Sequence, residues 1–230
     1  MYVNDYEVFF FDLDGLLVDT EPCFYRAFLQ ACGEFSIDVH WDFFNYYSHT
    51  TLGIEIFSKK FIEQYPEAQA YIKQILKRRW EIYQASLQNI VPPLMPGVDA
   101  FIELLLSLDK KFGVVTNSPR EATSPLCKTY PILNKFLFWV TRENYLRPKP
   151  YGDSYRYAYQ TFASEGEKVI GFEDSVKGLR ALSSIPATLV CINSLVQITP
   201  EDCPELKDKE YFFYQSFNDV IEQCLQQKLL

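Results

Sequence analysis

Apolar residues in this chain gather in short runs that stop abruptly at polar side chains. Val8–Phe11 runs into Asp12 and Asp14, residues 112–115 into Thr116-Asn117-Ser118, and residues 136–140 into Thr141. Residues 169–172 run into Glu173-Asp174, and residues 188–192 into Asn193. Such continuous apolar runs are what strands buried on both faces of a parallel sheet require, with each polar exit marking the carboxyl edge. Between them lie helical periodicities: residues 98–108, with Phe101, Leu104, Leu105 and Leu108 on one face, then Asp153–Phe162, then residues 175–183. Strand alternating with helix predicts an α/β fold with a doubly wound, Rossmann-like parallel sheet, and such folds bind ligands outside the carboxyl ends of their strands.

Residues 21–87 break the rhythm, being long, helical in pattern and without a convincing strand. They read as an inserted helical cap, and Pro92, Pro93, Pro96 and Gly97 punctuate the return. The expected division is an α/β core of residues 1–18 and 94–230 and a cap of residues 19–93, with the active site in the cleft between them.

Composition narrows the function. Thirty acidic against 22 basic residues, net charge −8, argue against a nucleic-acid or anionic-membrane binder. The six cysteines form no CxxC pair and lie away from His40 and His49, so neither a zinc cluster nor a disulfide framework is expected. The first residues lack the basic flank of a signal peptide. The reading is a cytoplasmic monomer that takes a small soluble substrate and binds neither nucleic acid nor membrane.

Asp12 and Asp14 are two apart, so an extended backbone places both carboxylates on one side while Leu13 faces away. Paired carboxylates suit covalent phosphoryl transfer, one attacking phosphorus and the other moving protons. Gly15 lets the chain turn there. An acidic turn after a strand is the plainer alternative for this pair taken alone. The acids of residues 173–174 would converge on the same strand ends, where two like charges at 4 Å repel by about 4 kcal/mol at an effective dielectric of 20. A hard divalent cation and a lysine would offset that crowding.

In order along the chain stand Asp12-x-Asp14-Gly15 with Asp19-Thr20, then Thr116-Asn117-Ser118, Lys149-Pro150 with Asp153, and Gly171-Phe172-Glu173-Asp174-Ser175. This set resembles the haloacid-dehalogenase-like phosphatase superfamily, in the capped subgroup of phosphoglycolate and sugar-phosphate phosphatases and β-phosphoglucomutase. The resemblance implies a magnesium-dependent phosphatase of small phosphorylated metabolites working through a phospho-aspartyl intermediate. It makes Asp12 the nucleophile and Asp14 the acid/base, whose carbonyl also binds Mg2+. Thr116 would hydrogen-bond the phosphoryl group and Lys149 would bridge nucleophile and phosphoryl oxygens. Asn117 and Ser118 would be substrate-binding, and Asp12, Asp14, Glu173 and Asp174 would hold the metal. Arg120 could join the substrate-binding residues by reaching a second anionic group on the substrate, with a solvated arginine at a helix start as the plainer alternative.

Plainer roles are expected elsewhere. Asp153 reads as a helix N-cap, Gly178 as a helix-packing residue, and Lys59, Lys60, Lys77, Arg78 and Arg79 as solvated helix faces. The aromatic run Phe43, Phe44, Tyr46, Tyr47 reads as packing, with a substrate pocket as the alternative. A phosphomutase is the second enzyme reading, opposed by Phe24, because similar mutases carry histidine at the matching place. A dehalogenase would lack Asp14. A non-catalytic phosphometabolite sensor would have no need of every motif residue.

Overall fold

Four apolar residues with no polar interruption, Val8–Phe11, form strand β1 and are all buried. In the computed structural model, which describes residues 2–228, the other strands are β2 (Lys111–Val115), β3 (Phe138–Val140), β4 (Val169–Glu173), β5 (Ala187–Ile192) and β6 (Tyr211–Tyr214). All pair in parallel, in the order β3-β2-β1-β4-β5-β6. The chain winds outward from β1 through β2 to β3, then returns to the far side of β1 for the remaining three. The direction changes between β1 and β4, where sheets of this kind open a crevice at their carboxyl edge. Asp12 follows β1 and Glu173 closes β4.

Alternation along β1 decides which side the chemistry occupies. Phe11 stacks on Phe172 with ring centroids 4.8 Å apart and packs against Phe101 of α5 (Val98–Ser107) and Phe217 of α9 (Phe217–Lys228). Phe10 points the other way, edge-on to Phe138 and toward Tyr155 of α7 (Asp153–Phe162). With a period of two, Asp12 leaves the strand on the Phe10 side, under α7. Phe11, Phe101, Phe172 and Phe217 are fully buried, each worth roughly 1.5–3 kcal/mol over exposure. The aromatic abundance in this part of the chain is a packing feature.

Several elements differ from expectation. Strand β3 begins at Phe138, because the chain bends at Leu137 and Phe136, before the bend, turns its ring edge-on to Phe11 and Phe112. The buried stripe of α5 is Val98, Phe101, Ile102 and Leu105, while Leu104 and Leu108 are half-buried. Helix α6 (Arg120–Thr129), helix α9 and strand β6 were not foreseen. Strand β6 is an edge strand whose four residues are all half-buried, so it has neither a continuous buried run nor clean alternation.

The chain divides into two compact units, Met1–Val18 with Leu94–Leu230, and Asp19–Pro93. The second is helical: α1 (Glu21–Glu34), α2 (Phe43–Thr50), α3 (Ile54–Gln64) and α4 (Ile72–Ser86). They enclose Phe28, Trp41, Tyr46, Phe57 and Phe61. His49 stacks on Trp41 with centroids 4.8 Å apart, and His40 is exposed beside Asp38. Tyr46 and Tyr47 are buried, Phe44 is exposed, and Phe24 stacks on Tyr83 at 3.8 Å.

Arg79 corrects an expectation. Lys59, Lys60 and Lys77 are exposed and Arg78 pairs with Glu34 at 2.6 Å, but Arg79 turns inward. Its guanidinium lies over the rings of Phe24 and Phe57 and donates to the Tyr46 hydroxyl at 3.1 Å. Each cation–π contact returns about 0.5–2 kcal/mol, enough to hold a half-buried arginine against an aromatic core.

Candidate active site

After β1 the chain stays extended through Asp12, whose N–H donates to Phe172 O, and then turns at Gly15 with φ +82°. That left-handed conformation costs a glycine nothing. The turn delivers Asp14 to the end of β2, where the Ser118 hydroxyl donates to its Oδ2 at 2.6 Å and the Thr116 hydroxyl at 3.3 Å. Thr116 Oγ1 in turn accepts the Ser118 N–H at 2.9 Å. Both hydroxyls needed for this are supplied by one strand exit.

Lys149 arrives on a braced loop. The Asn117 side chain accepts the Lys149 N–H at 2.9 Å and the Tyr145 hydroxyl at 2.9 Å, and its amide reaches Lys149 O at 3.4 Å. Asp153 is not the N-cap of α7 but its first residue. Its carboxylate binds the Arg147 main-chain N–H and guanidinium and also Arg156. Arg147, with Arg156 adding to it, holds the Asp153 carboxyl down at about 2.

The Lys149 ammonium is buried and donates to Asp12 Oδ1 at 2.7 Å, Glu173 Oε1 at 2.6 Å and Val115 O at 2.8 Å. Burial by itself would lower its pKa, but the Asp12 and Glu173 carboxylates beside it outweigh that and raise it. Lys149 is therefore a fixed cation. Burial pushes Glu173 above the usual carboxylate range, against the pull of Lys149.

Tyr155, which the motif reading passed over, donates to Glu173 Oε1 at 2.5 Å and lays its ring 4.9 Å from Lys149 Nζ. Burial and the neighbouring Glu173 keep its phenol neutral, well above the ordinary tyrosine value. Tyr145 was also missed. Its hydroxyl meets Thr116 O at 2.7 Å as well as Asn117. The available signal for Tyr155 was its place two residues after Asp153 on the helix that follows the lysine loop.

Gly178 has a more specific role than helix packing. A Cβ built there would lie 1.8 Å from Glu173 Oε2 and 2.2 Å from its Cδ, inside the volume of a fully buried carboxylate. Gly178→Ala is expected to cost about 1–3 kcal/mol as an overpacked core position and to displace Glu173 from Lys149. Urea unfolding combined with turnover checks this, and wild-type values for both would refute the close approach.

Asp12, Glu173 and Asp174 are buried and each offers a carboxylate oxygen, all within 4.8 Å of one another. The Asn193 amide donates to Asp174 O at 2.8 Å and steadies that turn. One ammonium faces three carboxylates, so the cluster carries surplus negative charge in a buried setting. Hard oxygen donors with that surplus fit a divalent cation such as magnesium. The Asp14 side chain is engaged by hydroxyls and is not in this group.

Thus Asp12, Lys149, Glu173 and Asp174 come together, with Asp14, Thr116 and Ser118 joined beside them through hydrogen bonds. Asn117 spends its side chain on the lysine loop. Arg120 is exposed at the start of α6, and its main-chain N–H donates to the Glu143 carboxylate at 3.1 Å. Its place at that exposed helix start does not bring it into the cluster.

The family model for haloacid dehalogenase-like hydrolases matches residues 9–187, a span that includes every residue of this cluster. The chain belongs to that family. Among similar members, protein CbbY of Cereibacter sphaeroides is 28% identical over 194 residues, covering 82% of this chain and 84% of that protein. The phosphorylated carbohydrates phosphatase of Thermotoga maritima is 22% identical over 182 residues, covering 77% and 81%. The crystal structure of CbbY from Rhodobacter sphaeroides in complex with phosphate superposes with a TM-score of 0.71 at 22% identity, over 94% of this chain and 96% of that one. That superposition bears on the fold of this haloacid dehalogenase-like hydrolase. Among the described residues no helix is long and apolar enough to cross a membrane.

Proposed function

We propose that this haloacid dehalogenase-like hydrolase is a magnesium-dependent phosphatase, a phosphoric monoester hydrolase acting on a small phosphorylated carbohydrate through a phospho-aspartyl intermediate on Asp12. The observation that carries the reading is the buried Lys149 ammonium bonded to Asp12 and Glu173 together, beside an Asp14 held by two hydroxyls. Lys149 holds Asp12 Oδ1 and leaves the second carboxylate oxygen to attack phosphorus. Asp14 protonates the departing oxygen, then removes a proton from the water that resolves the intermediate. Ser118 and Thr116 fix Asp14 for both transfers, and Lys149 offsets charge on the phosphoryl oxygens. Asp12, Glu173, Asp174 and the Asp14 carbonyl would hold magnesium. When bound, it supplies positive charge to the same phosphoryl oxygens.

The carbohydrate class is supported by relatives whose names specify phosphorylated carbohydrates and hexitol phosphates. Six free thiols suit a reducing, cytoplasmic compartment. Phe24, stacked on Tyr83, fills a packing position and supports hydrolase over mutase. The test is phosphate release from a panel of sugar and polyol phosphates, with magnesium or with a chelator. Magnesium-dependent release with a clear kcat/KM preference is expected. Glucose 1-phosphate with catalytic glucose bisphosphate should give free phosphate without sustained isomerisation. Steady glucose 6-phosphate formation without matching phosphate release would overturn the hydrolase reading.

A further inference from the structure

The loop that follows β3 is tied to Thr116-Asn117-Ser118 at the exit of β2. The Arg142 N–H donates to Ser118 O at 3.1 Å, the Tyr145 hydroxyl meets Thr116 O at 2.7 Å and Asn117 Oδ1 at 2.9 Å, and the Lys149 N–H donates to the same Oδ1 at 2.9 Å. An amide side chain held by one bond would be free to rotate between its staggered wells and carry the Lys149 main chain with it. Here the single phenolic proton of Tyr145 lies between that amide oxygen and Thr116 O. Thr116 is anchored in turn, its N–H donating to Val140 O at 2.9 Å. The phenol is held from behind, because the Arg142 guanidinium lies 5.3 Å from its ring and donates to Tyr145 O and Leu146 O.

We propose that Tyr145 is a positioning residue for phosphoryl transfer, pinning Asn117 so that the Lys149 main chain holds its ammonium where the transferring phosphoryl group needs it. The proposal rests on the hydrolase reading above. Lys149 carries its charge at the end of a flexible four-carbon stem, and acceptors at the tip fix that end while no phosphoryl group competes for it. Once one does, the base of the side chain has to stay in place for the charge to stay in place, and the Tyr145–Asn117 brace fixes that base. A misplacement of about 1 Å at such a site can cost on the order of 100-fold in rate. Neither Tyr145 nor Asn117 belongs to the carboxylate group that fits magnesium, so the brace can be cut with those ligands left intact. Tyr145→Phe keeps the ring beside Arg142 and removes the hydroxyl.

The experiment is a double-mutant cycle of Tyr145→Phe and Asn117→Ala with two readouts. One is magnesium-dependent hydrolysis of para-nitrophenyl phosphate, and the other is hydrogen exchange at the Lys149 main-chain N–H in the protein without ligand. Tyr145→Phe alone should lower kcat by about 10-fold or more while KM moves less than about threefold, because the lysine matters most where phosphoryl charge develops. In the Asn117→Ala background the same change should cost less than about threefold in kcat, because the amide through which the phenol acts is gone. The Lys149 N–H should exchange about fivefold faster in Tyr145→Phe, the scale of one weakened hydrogen bond, while the amides of β1 keep their wild-type rates. A tyrosine that only adds stability would leave kcat per folded molecule unchanged or give the same fold-loss in both backgrounds, and either result would overturn the proposal. So would an unaltered exchange rate at Lys149. If Tyr145→Phe lowers the melting temperature, the cycle is run where all four proteins are folded, and the coupling still decides. A wild-type protein that releases no phosphate defeats the hydrolase reading, and this proposal with it. An active wild type with equal losses in the two backgrounds defeats this proposal alone.

Discussion

Asp12→Asn is expected to fold as the wild type does and to lose turnover by on the order of 10⁴-fold or more, the scale seen when a covalent nucleophile is removed. The amide has the shape of the carboxylate and can still accept the Lys149 hydrogen bond through Oδ1. It cannot attack phosphorus. Because one of three buried carboxylates is neutralised, like-charge crowding at the strand ends falls, so the fold has no electrostatic reason to weaken. Phosphate release and urea unfolding of the same preparation check both halves. A variant that turns over at wild-type rates would remove the covalent mechanism.

Lys149→Met should be the most destabilising single change at the site. It deletes the cation that serves Asp12, Glu173 and Val115 O, leaving buried acids without their positive partner. Breaking a buried ion pair from one side typically costs 3–5 kcal/mol, roughly the scale expected here without magnesium. Turnover should fall by about 10²- to 10³-fold at least, as for loss of one preorganised stabiliser of transition-state charge.

The deficit should also depend on pH with a defined sign. Burial already raises the folded-state pKa of Glu173 against the pull of Lys149, and removing the lysine raises it further. A carboxylate with a raised folded pKa binds more protons folded than unfolded, so stability falls as pH rises through that window. Glu173 is raised to about 7 with the lysine present and higher without it, so the variant's deficit should grow as pH rises above about 7 and shrink as pH falls back toward 7. Adding Glu173→Gln to Lys149→Met should recover part of the loss above about pH 7. A deficit flat with pH and unmoved by Glu173→Gln would place the loss in packing instead of charge.

The parts of the fold legible in the sequence were those with one dominant signal. Strands β1, β2, β4 and β5 are buried apolar runs with polar exits, and α7 has an unambiguous period. Strand β6 escaped because an edge strand need not be continuously apolar, and the stripe of α5 was misplaced because nearly every residue there is hydrophobic. In the site, order and spacing pointed to Asp12, Lys149, Glu173 and Asp174, which the fold brings together. The Tyr155 hydroxyl and the Gly178 hollow were not visible, because each acts on Glu173 across the junction of different elements. Arg79 was misread for a similar reason, since a charged residue at a helix position gives no sign that aromatic rings await it on the inward side.

The central claim is that a phosphoryl group passes through Asp12, and acid quenching of a single turnover reads it directly. Wild-type protein mixed with a turned-over sugar phosphate and magnesium, stopped on the millisecond scale, should carry one acid-stable phosphoryl group on the peptide containing Asp12. That species should rise before free phosphate and should be absent from Asp12→Asn. Phosphate appearing with no protein-bound phosphoryl group at any time, even where the chemical step outpaces release, would contradict the account, as would a phosphoryl group mapped to any other residue.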